Sequence, residues 1–242
     1  MQIEQAVDGI TRHYGPAEWI PVMATRAPAQ TIGLALMVQG ILEEGPLAQK
    51  IKHFMLFVIC VSQGKTPMAR MHHTAARRLG ATDEELHEVL LVFVASRGIA
   101  IYIDGAAIAG LPPVSAPAVR DDPLPGGQQM LAYFESAMGQ LPEFVSLLAT
   151  HKPAVFKSYY KLRSENLKDG NLTQKHKELM LVALNTAERY QRGIEIHARA
   201  ALQCGATQEE LIDAMATAIL AGGIPGWIEA AAACKSVTAG AR

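Results

Sequence analysis

The sequence has few aromatic residues and no excess of positive charge. Phe, Trp and Tyr make up 6% of its 242 residues, and 22 Lys and Arg are balanced by 23 Asp and Glu. The basic residues are spread along the chain, whereas a nucleic-acid-binding surface needs a basic patch, so no nucleic-acid partner is expected. Hydrophobic residues account for 50% of the chain, and alanine is abundant. This composition favours closely packed helices over a β sandwich.

Long apolar runs are absent as well. The uncharged run 214–228 is short for a membrane span and is interrupted by three glycines and a proline. The first residues include acids and no apolar signal segment. We therefore expect no membrane partner and a cytoplasmic location.

Cysteine is scarce and shows no paired spacing. The three cysteines, Cys60, Cys204 and Cys234, are far apart and form no CxxC motif, so neither a disulfide framework nor a zinc site is expected. The adjacent His72 and His73 would point about 100° apart on a helix and cannot face one pocket. Because a metal site needs three or four converging ligands, we predict no metal site.

Turn and capping signals divide the chain into helices and one linker. Gly80 ends a predicted helix, and Thr82 begins the next with a capping box, in which a hydroxyl and a glutamate satisfy free helix N–H groups. Residues 111–127 contain five prolines and two glycines and are predicted to form an extended linker. We predict domains over 1–110 and 128–242, with helices in the first at 29–42, 50–61, 67–79, 82–96 and 99–109.

The two domains carry an internal repeat at a spacing of 125 residues. Without a gap, 19 of 62 positions are identical between 48–109 and 173–234. His72 aligns with His197, and the segment GATDEEL aligns with GATQEEL. We infer a duplicated helical unit, whose two copies would pack about a pseudo-twofold axis or in a ring.

Each copy has a helix with a polar end, then a histidine-bearing helix, then the GATxEEL segment. This order resembles the carboxymuconolactone decarboxylase and AhpD-like alkylhydroperoxidase superfamily, over roughly 48–110 and 173–235. The resemblance implies an all-α tandem of two AhpD-like units, with sites between helices, that assembles as a small ring homo-oligomer. For a fused pair, a trimer would have the symmetry of a six-unit ring.

The branches of this superfamily differ in whether they carry a pair of redox cysteines. The peroxidase branch carries CxxCxxxH with a glutamate one helix earlier, because a thiolate attacks the peroxide. Before His197, the two cysteine positions hold Tyr190 and Gly193, and the first copy has no cysteine there either. The sequence therefore argues against thiol peroxidase chemistry. The resemblance favours the decarboxylase branch, which implies that no cofactor is used.

The glutamate position of the resemblance is Glu178 in the second copy and His53 in the first. We therefore assign catalysis to the second copy, with His197 as general acid or base and Glu178 orienting its imidazole. Tyr190 lies two helical turns before His197 and would stabilise a developing enolate. The alternatives are a buried structural histidine and a glutamate that only pairs with a cation between helices.

Four further residues are candidate substrate-binding groups. Glu188 and Arg192 flank the start of the His197 helix, where an arginine would bind a substrate carboxylate through two hydrogen bonds; the alternative is a solvated helix start. His72 is the first-copy counterpart of His197, and Trp227 would either line an apolar pocket or pack in the core. Either one copy is catalytic, or a composite site takes its base from the second copy and its anion-binding groups from the first.

These residues predict a cofactor-free, decarboxylase-like lyase that acts on a small organic acid or lactone. The alternative is a non-enzymatic small-molecule-binding or assembly protein on the same fold. A polar cleft that holds Glu178, Tyr190 and His197 would favour the enzyme, and a dry contact of leucine and alanine would favour the binding protein.

Overall fold

A computed structural model describes residues 1–113 and 123–239, which form helices without any strand. The prediction of an all-α fold is confirmed. The helices are α1 Ile3–Tyr14, α2 Trp19–Arg26, α3 Pro28–Leu42, α4 Gln49–Ser62, α5 Thr66–Arg78, α6 Asp83–Arg97, α7 Ala100–Ala109, α8 Gly127–Met138, α9 Glu143–His151, α10 Pro153–Asn166, α11 Gln174–Ala187, α12 Gln191–Gln203, α13 Gln208–Thr217, α14 Ile219–Gly222 and α15 Ile224–Ala239.

The spacing of 125 residues extends further in the structure than in the sequence. The helices α8, α9 and α10 follow α1, α2 and α3 at that spacing, although the alignment of identical residues begins only at residue 48. Pro28 and Pro153 both occupy the first turn of a helix, where the missing N–H of proline is no disadvantage. Residues 3–42 and 127–166 thus form matched three-helix segments at the start of each half, of which only the helix at 29–42 was located from the sequence.

Two helices form the centre of the protein. Every residue of α4 from Ile51 to Val61 and of α11 from Lys177 to Ala187 is buried. The two helices pack against each other, and α5 to α7 and α12 to α15 pack around them. A helix that is apolar on all sides must be enclosed in this way, because no side of it can face water favourably.

Reciprocal ion pairs join the halves. Lys52 Nζ in α4 lies 2.8 Å from Asp213 Oδ1 in α13, and Lys177 Nζ in α11 lies 2.5 Å from Glu88 Oε1 in α6. Each lysine is the counterpart of the other at the spacing of 125, as is each carboxylate. The first half therefore contacts the second in the same way as the second contacts the first, which is the relation that a pseudo-twofold axis produces.

Local signals read from the sequence agree with the helix boundaries. Thr82 and Thr207 each cap a helix by accepting a hydrogen bond from the N–H of the glutamate three residues later. The predicted linker is non-helical at 111–113 and 123–126, its last residue Gly127 begins α8, and its residues 114–122 lie outside the described ranges. Among the described helices, none combines the length and the apolar character that a membrane crossing requires.

Candidate functional site

A cavity of about 200 Å³ lies between the two halves of the chain. The end of α6 supplies the wall from the first half, and α8 to α12 with the turn before α12 supply the walls from the second. Apolar walls come from Val92, Leu167, Leu181 and Ile196. The polar lining residues include Arg97, Tyr159, Arg163, Asn185, Tyr190 and His197.

The predicted pair of His197 and Glu178 is in contact. The imidazole Nδ1 of His197 lies 2.7 Å from Oε2 of Glu178, and both residues are buried. α11 and α12 pack closely along their length, so residues 19 positions apart in sequence meet across the helix pair. A carboxylate on Nδ1 fixes that nitrogen as the N–H donor and leaves the lone pair of the neutral imidazole on Nε2, in a side chain that lines the cavity.

The turn between α11 and α12 holds the polar groups in place. Arg189 has a φ of 58°, in the left-handed region, and ends α11 in the way that a glycine usually does. Tyr190 follows as the N-cap of α12. At Gly193, an added Cβ would lie 2.6 Å from Oδ1 of Asn185, so only glycine lets α12 approach Asn185 this closely. The turn therefore combines a strained residue with a close helix contact beside the cavity.

One arginine reaches the cavity from the first half. Arg97 Nε donates to Oε1 of Glu188 at 2.7 Å, its Nη2 pairs with the other carboxylate oxygen, and Nη2 also donates to Oδ1 of Asn185 at 3.2 Å. Asn185 Nδ2 donates in turn to the carbonyl of Leu181 at 2.7 Å. Arg97 thus joins the halves at the site, and its donors are occupied by protein groups.

Sequence reasoning missed two residues of α10, Arg163 and Tyr159. Arg163 is 6% exposed and lines the cavity, and its Nε and Nη2 atoms have no hydrogen-bond partner among the described residues. Burial raises the pKa of the Tyr159 hydroxyl, although the charge of Arg163 and a hydrogen bond with it act the other way. At the spacing of 125 their counterparts are Val38 and Leu34, so extending the repeat to α3 would have revealed these two polar replacements.

The other predicted residues lie at different distances from this cavity. Tyr190 lines it and also borders an outer depression that Arg192 lines. Glu188 is held by Arg97 and by a hydrogen bond of 2.8 Å from Ser62 Oγ. Trp227 is partly buried and packs against the main core rather than lining the cavity.

His72 occupies an equivalent but sealed position in the first half. Its side chain is 0% exposed, Nδ1 lies 3.1 Å from Nδ1 of His53, and the Tyr14 ring packs against it. Burial, with the charges of His53 and His13, lowers the pKa of His72 well below its ordinary value. Burial, with the charges of His13 and Arg78, lowers the pKa of His53 to about 4. His72 therefore makes no contact with the cavity.

The structure offers little for thiol or metal chemistry in the part of the chain that it describes. None of the three cysteines lines the cavity. Burial raises the pKa of the Cys60 thiol to about 12, although Lys65 acts in the opposite direction, and such a thiol carries almost no thiolate at neutral pH. Across 1–113 and 123–239, no three His, Cys, Asp or Glu side chains are grouped so that they could hold a metal ion.

Comparison with known proteins places the chain in a family. The model described as the carboxymuconolactone decarboxylase family matches residues 33–109 and 153–236. A solved structure from Burkholderia xenovorans LB400, provisionally named a gamma-carboxymuconolactone decarboxylase subunit, is 22% identical with a TM-score of 0.67, over 98% of this chain and 99% of that chain. A second structure from that organism, provisionally named a carboxymuconolactone decarboxylase, is 33% identical with a TM-score of 0.42, over 48% of this chain and 95% of that one. No curated protein gave a significant match.

Proposed function

The chain belongs to the carboxymuconolactone decarboxylase family, and from this we propose that it is a cofactor-free lyase that acts on a small organic acid or lactone. The observation that carries the proposal is the hydrogen bond of 2.7 Å between Glu178 and His197 at the wall of a polar cavity. A buried carboxylate on one nitrogen of an imidazole that lines a cavity is the arrangement of a general base.

The proposed chemistry is proton transfer at Nε2 of His197. Nε2 takes a proton from an acidic C–H or hydroxyl group of the substrate, and the Glu178 carboxylate stabilises the imidazolium that forms. In a decarboxylation, the proton that Nε2 takes is that of the departing carboxyl group. The C–C bond to CO₂ breaks, and its electron pair moves onto a neighbouring carbonyl group of the substrate, which becomes an enolate. The imidazolium then returns a proton to carbon, and the Tyr190 hydroxyl stabilises the enolate oxygen by donating a hydrogen bond.

The cavity favours this enzyme over the alternative of a binding or assembly protein. A protein that used the contact only for packing would be expected to carry apolar side chains at these positions, as the first half does at Leu34, Val38 and Cys60. Here Tyr159, Asn185 and His197 are polar and face one cavity. Its volume, about 200 Å³, is below the roughly 300–1,000 Å³ of typical drug-sized sites, which supports a small substrate.

The proposal is tested by replacing the base. Lactones and β-keto or unsaturated acids are screened for loss of substrate and release of CO₂, with no metal or nucleotide added. We expect His197→Gln to lower kcat by roughly 10²- to 10⁴-fold, the usual contribution of a general acid or base. Far-UV circular dichroism and light scattering show whether the variant keeps its helices and its assembly.

The matched control is His72→Gln in the first half. His72 is also buried and occupies the equivalent helix position, but it does not line the cavity. The His72→Gln variant should differ from the wild type in stability and have the same turnover per folded molecule. Full turnover by a folded His197→Gln protein would refute the assignment.

We also propose that the chain is a tandem duplication that forms a homo-oligomer, with a trimer favoured. Ile99 and Ile103 near the start of α7 are exposed, and so are their counterparts Ile224 and Ile228 in α15. Apolar side chains exposed at matched positions of both halves are suited to contacts between copies of the chain. The small-molecule substrate and the cytoplasmic location also remain predictions.

A further inference from the structure

We propose that Arg163 is the carboxylate anchor of this cavity, so that the ligand is a small acid which keeps that carboxylate, and not a neutral lactone. The inference rests on the proposed function for the reaction. It does not rest on it for binding, which Arg163 would support even if no turnover occurred.

The first support is the geometry of the unpaired donors. Nε and Nη2 of Arg163 are buried without a hydrogen-bond partner among the described residues, in a side chain that is 6% exposed. These two atoms share one edge of the planar guanidinium, and their N–H bonds point the same way. Two parallel donors match the two oxygens of a carboxylate, which would then bind side-on through two hydrogen bonds.

The second support is the comparison with the other half. The counterpart of Arg163 in α3 is Val38, which is 1% exposed and part of the main core. The scaffold therefore accepts an aliphatic side chain at this place, and packing does not require an arginine. A buried guanidinium edge with no partner is unfavourable, because the donors have lost water and gained nothing in exchange. A bound carboxylate would restore both hydrogen bonds.

The third support is the state of the neighbouring groups. Arg97 also lines the cavity, but Glu188 and Asn185 occupy its donors. Glu178 is paired with His197. Tyr159 lies one helical turn from Arg163 and lines the same cavity, and burial raises the pKa of its hydroxyl, so the hydroxyl stays protonated and can donate to the same carboxylate. Arg163, with its unpaired guanidinium edge, and His197 thus line the same cavity.

The anchored carboxylate is the one that remains on the substrate. An ion pair stabilises the ground state of the group it holds, so a carboxylate on Arg163 would be held back from leaving as CO₂. Arg163 therefore orients the ligand, while bonds break at a different carbon beside His197. A neutral lactone of the same size would leave both donors unpaired.

Isothermal titration calorimetry with two carboxylates and their amides tests the anchor. The probes are crotonate and succinate, with crotonamide and succinamide as uncharged matches. The full chain should bind at least one carboxylate in preference to its amide. Arg163→Gln should weaken that binding roughly 30-fold or more, since the loss of one partner of a buried charged pair is costly, and should leave amide binding unchanged.

Two further variants test whether Arg163 binds the carboxylate directly. One tests whether the residue is needed for stability, and the other tests whether the loss of any positive charge weakens binding. Arg163→Met should unfold at the same or a higher temperature than the wild type, because it removes an unpaired buried cation. Arg26→Gln removes an exposed charge from α2 and should bind the carboxylates normally. The proposal would be overturned if Arg163→Met unfolded at a lower temperature than the wild type while Arg163→Gln kept its affinity for the carboxylate. It would also be overturned if neither carboxylate bound the wild type.

The outcomes distinguish this inference from the proposed function. Carboxylate binding that needs Arg163 and survives His197→Gln supports the anchor, even if none of the screened acids is converted. If turnover requires His197 but the KM of Arg163→Gln equals that of the wild type, the lyase is supported and the carboxylate anchor is overturned.

Discussion

The two halves of the chain place a histidine at the same position and surround it differently. In the second half His197 pairs with Glu178 and faces a cavity. In the first half His72 pairs with His53, and the Tyr14 ring closes the space beside it, with ring centroids 5.3 Å apart. The counterpart of Tyr14 is Gly139, which has no side chain. One scaffold therefore holds an accessible histidine and a sealed one.

A few replacements account for this difference. Val38, Cys60 and Met68 of the first half correspond to Arg163, Asn185 and Gly193 of the second. The first-half residues belong to the apolar core or pack against it, whereas the second-half residues line the cavity. The ion pairs of Lys52 and Lys177 are meanwhile kept in both halves. The comparison teaches that the scaffold can be preserved by its buried pairs while a site is opened by small and polar side chains.

The largest expected effect comes from giving the second half the partner that the first half has. Glu178→His should fold, because His53 is tolerated at the equivalent buried position. A neutral imidazole cannot stabilise the imidazolium of His197 as a carboxylate does. We expect kcat to fall roughly 10²- to 10⁴-fold, as measured with the substrate that the screen identifies.

The reverse exchange is the control. His53→Glu creates a Glu–His pair in the first half but opens no cavity, so it should add no activity. Equal turnover in Glu178→His and wild type would mean that the two halves do not differ in the way the geometry indicates.

A smaller effect is expected from acid. The pKa of His53 is lowered to about 4 by burial, while the unfolded chain has its ordinary value near 6.5, so below pH 6.5 the unfolded state binds the proton more readily. The free energy of unfolding should therefore decrease as the pH is lowered. His53 alone accounts for about 3 kcal/mol of this decrease by pH 4. Urea unfolding between pH 7 and 4 measures the slope.

His53→Gln removes this titration and should make the slope shallower. The comparison of slopes isolates the histidine from the carboxylates that also titrate in this range. Parallel slopes in the two proteins would show that the buried histidine pair is not the acid-sensitive element.

The smallest expected effect concerns the turn before each histidine helix. Gly64 and Arg189 are counterparts and both have positive φ, of 67° and 58°. Glycine adopts this region freely and arginine does not, so Arg189→Gly should stabilise the protein by about 0.5–1 kcal/mol. Gly64→Ala should destabilise it by about 1 kcal/mol. Urea midpoints measure both, and a loss of stability in Arg189→Gly would reveal a contact of the arginine side chain that outweighs the strain.

Much of the helix pattern was predictable because its signals are local. The capping boxes at Thr82 and Thr207 and the glycines after the histidine helices define helix ends through hydrogen bonds within a few residues. The pairing of Glu178 with His197 was also predicted, from the repeat and the resemblance. The contribution of α10 was not, since nothing near Arg163 in sequence indicates that its guanidinium faces a cavity.

The sequence by itself determined the all-α class, the spacing of 125 residues and the absence of a thiol pair before His197. Only the tertiary structure decided that the site lies between the halves, with Arg97 on one side and Arg163 on another. It also decided that Glu188 pairs with Arg97 and that His72 is sealed. The physical reason is that helix caps and repeats depend on neighbours along the chain, whereas burial and charge pairing depend on which helix faces meet after the chain has folded.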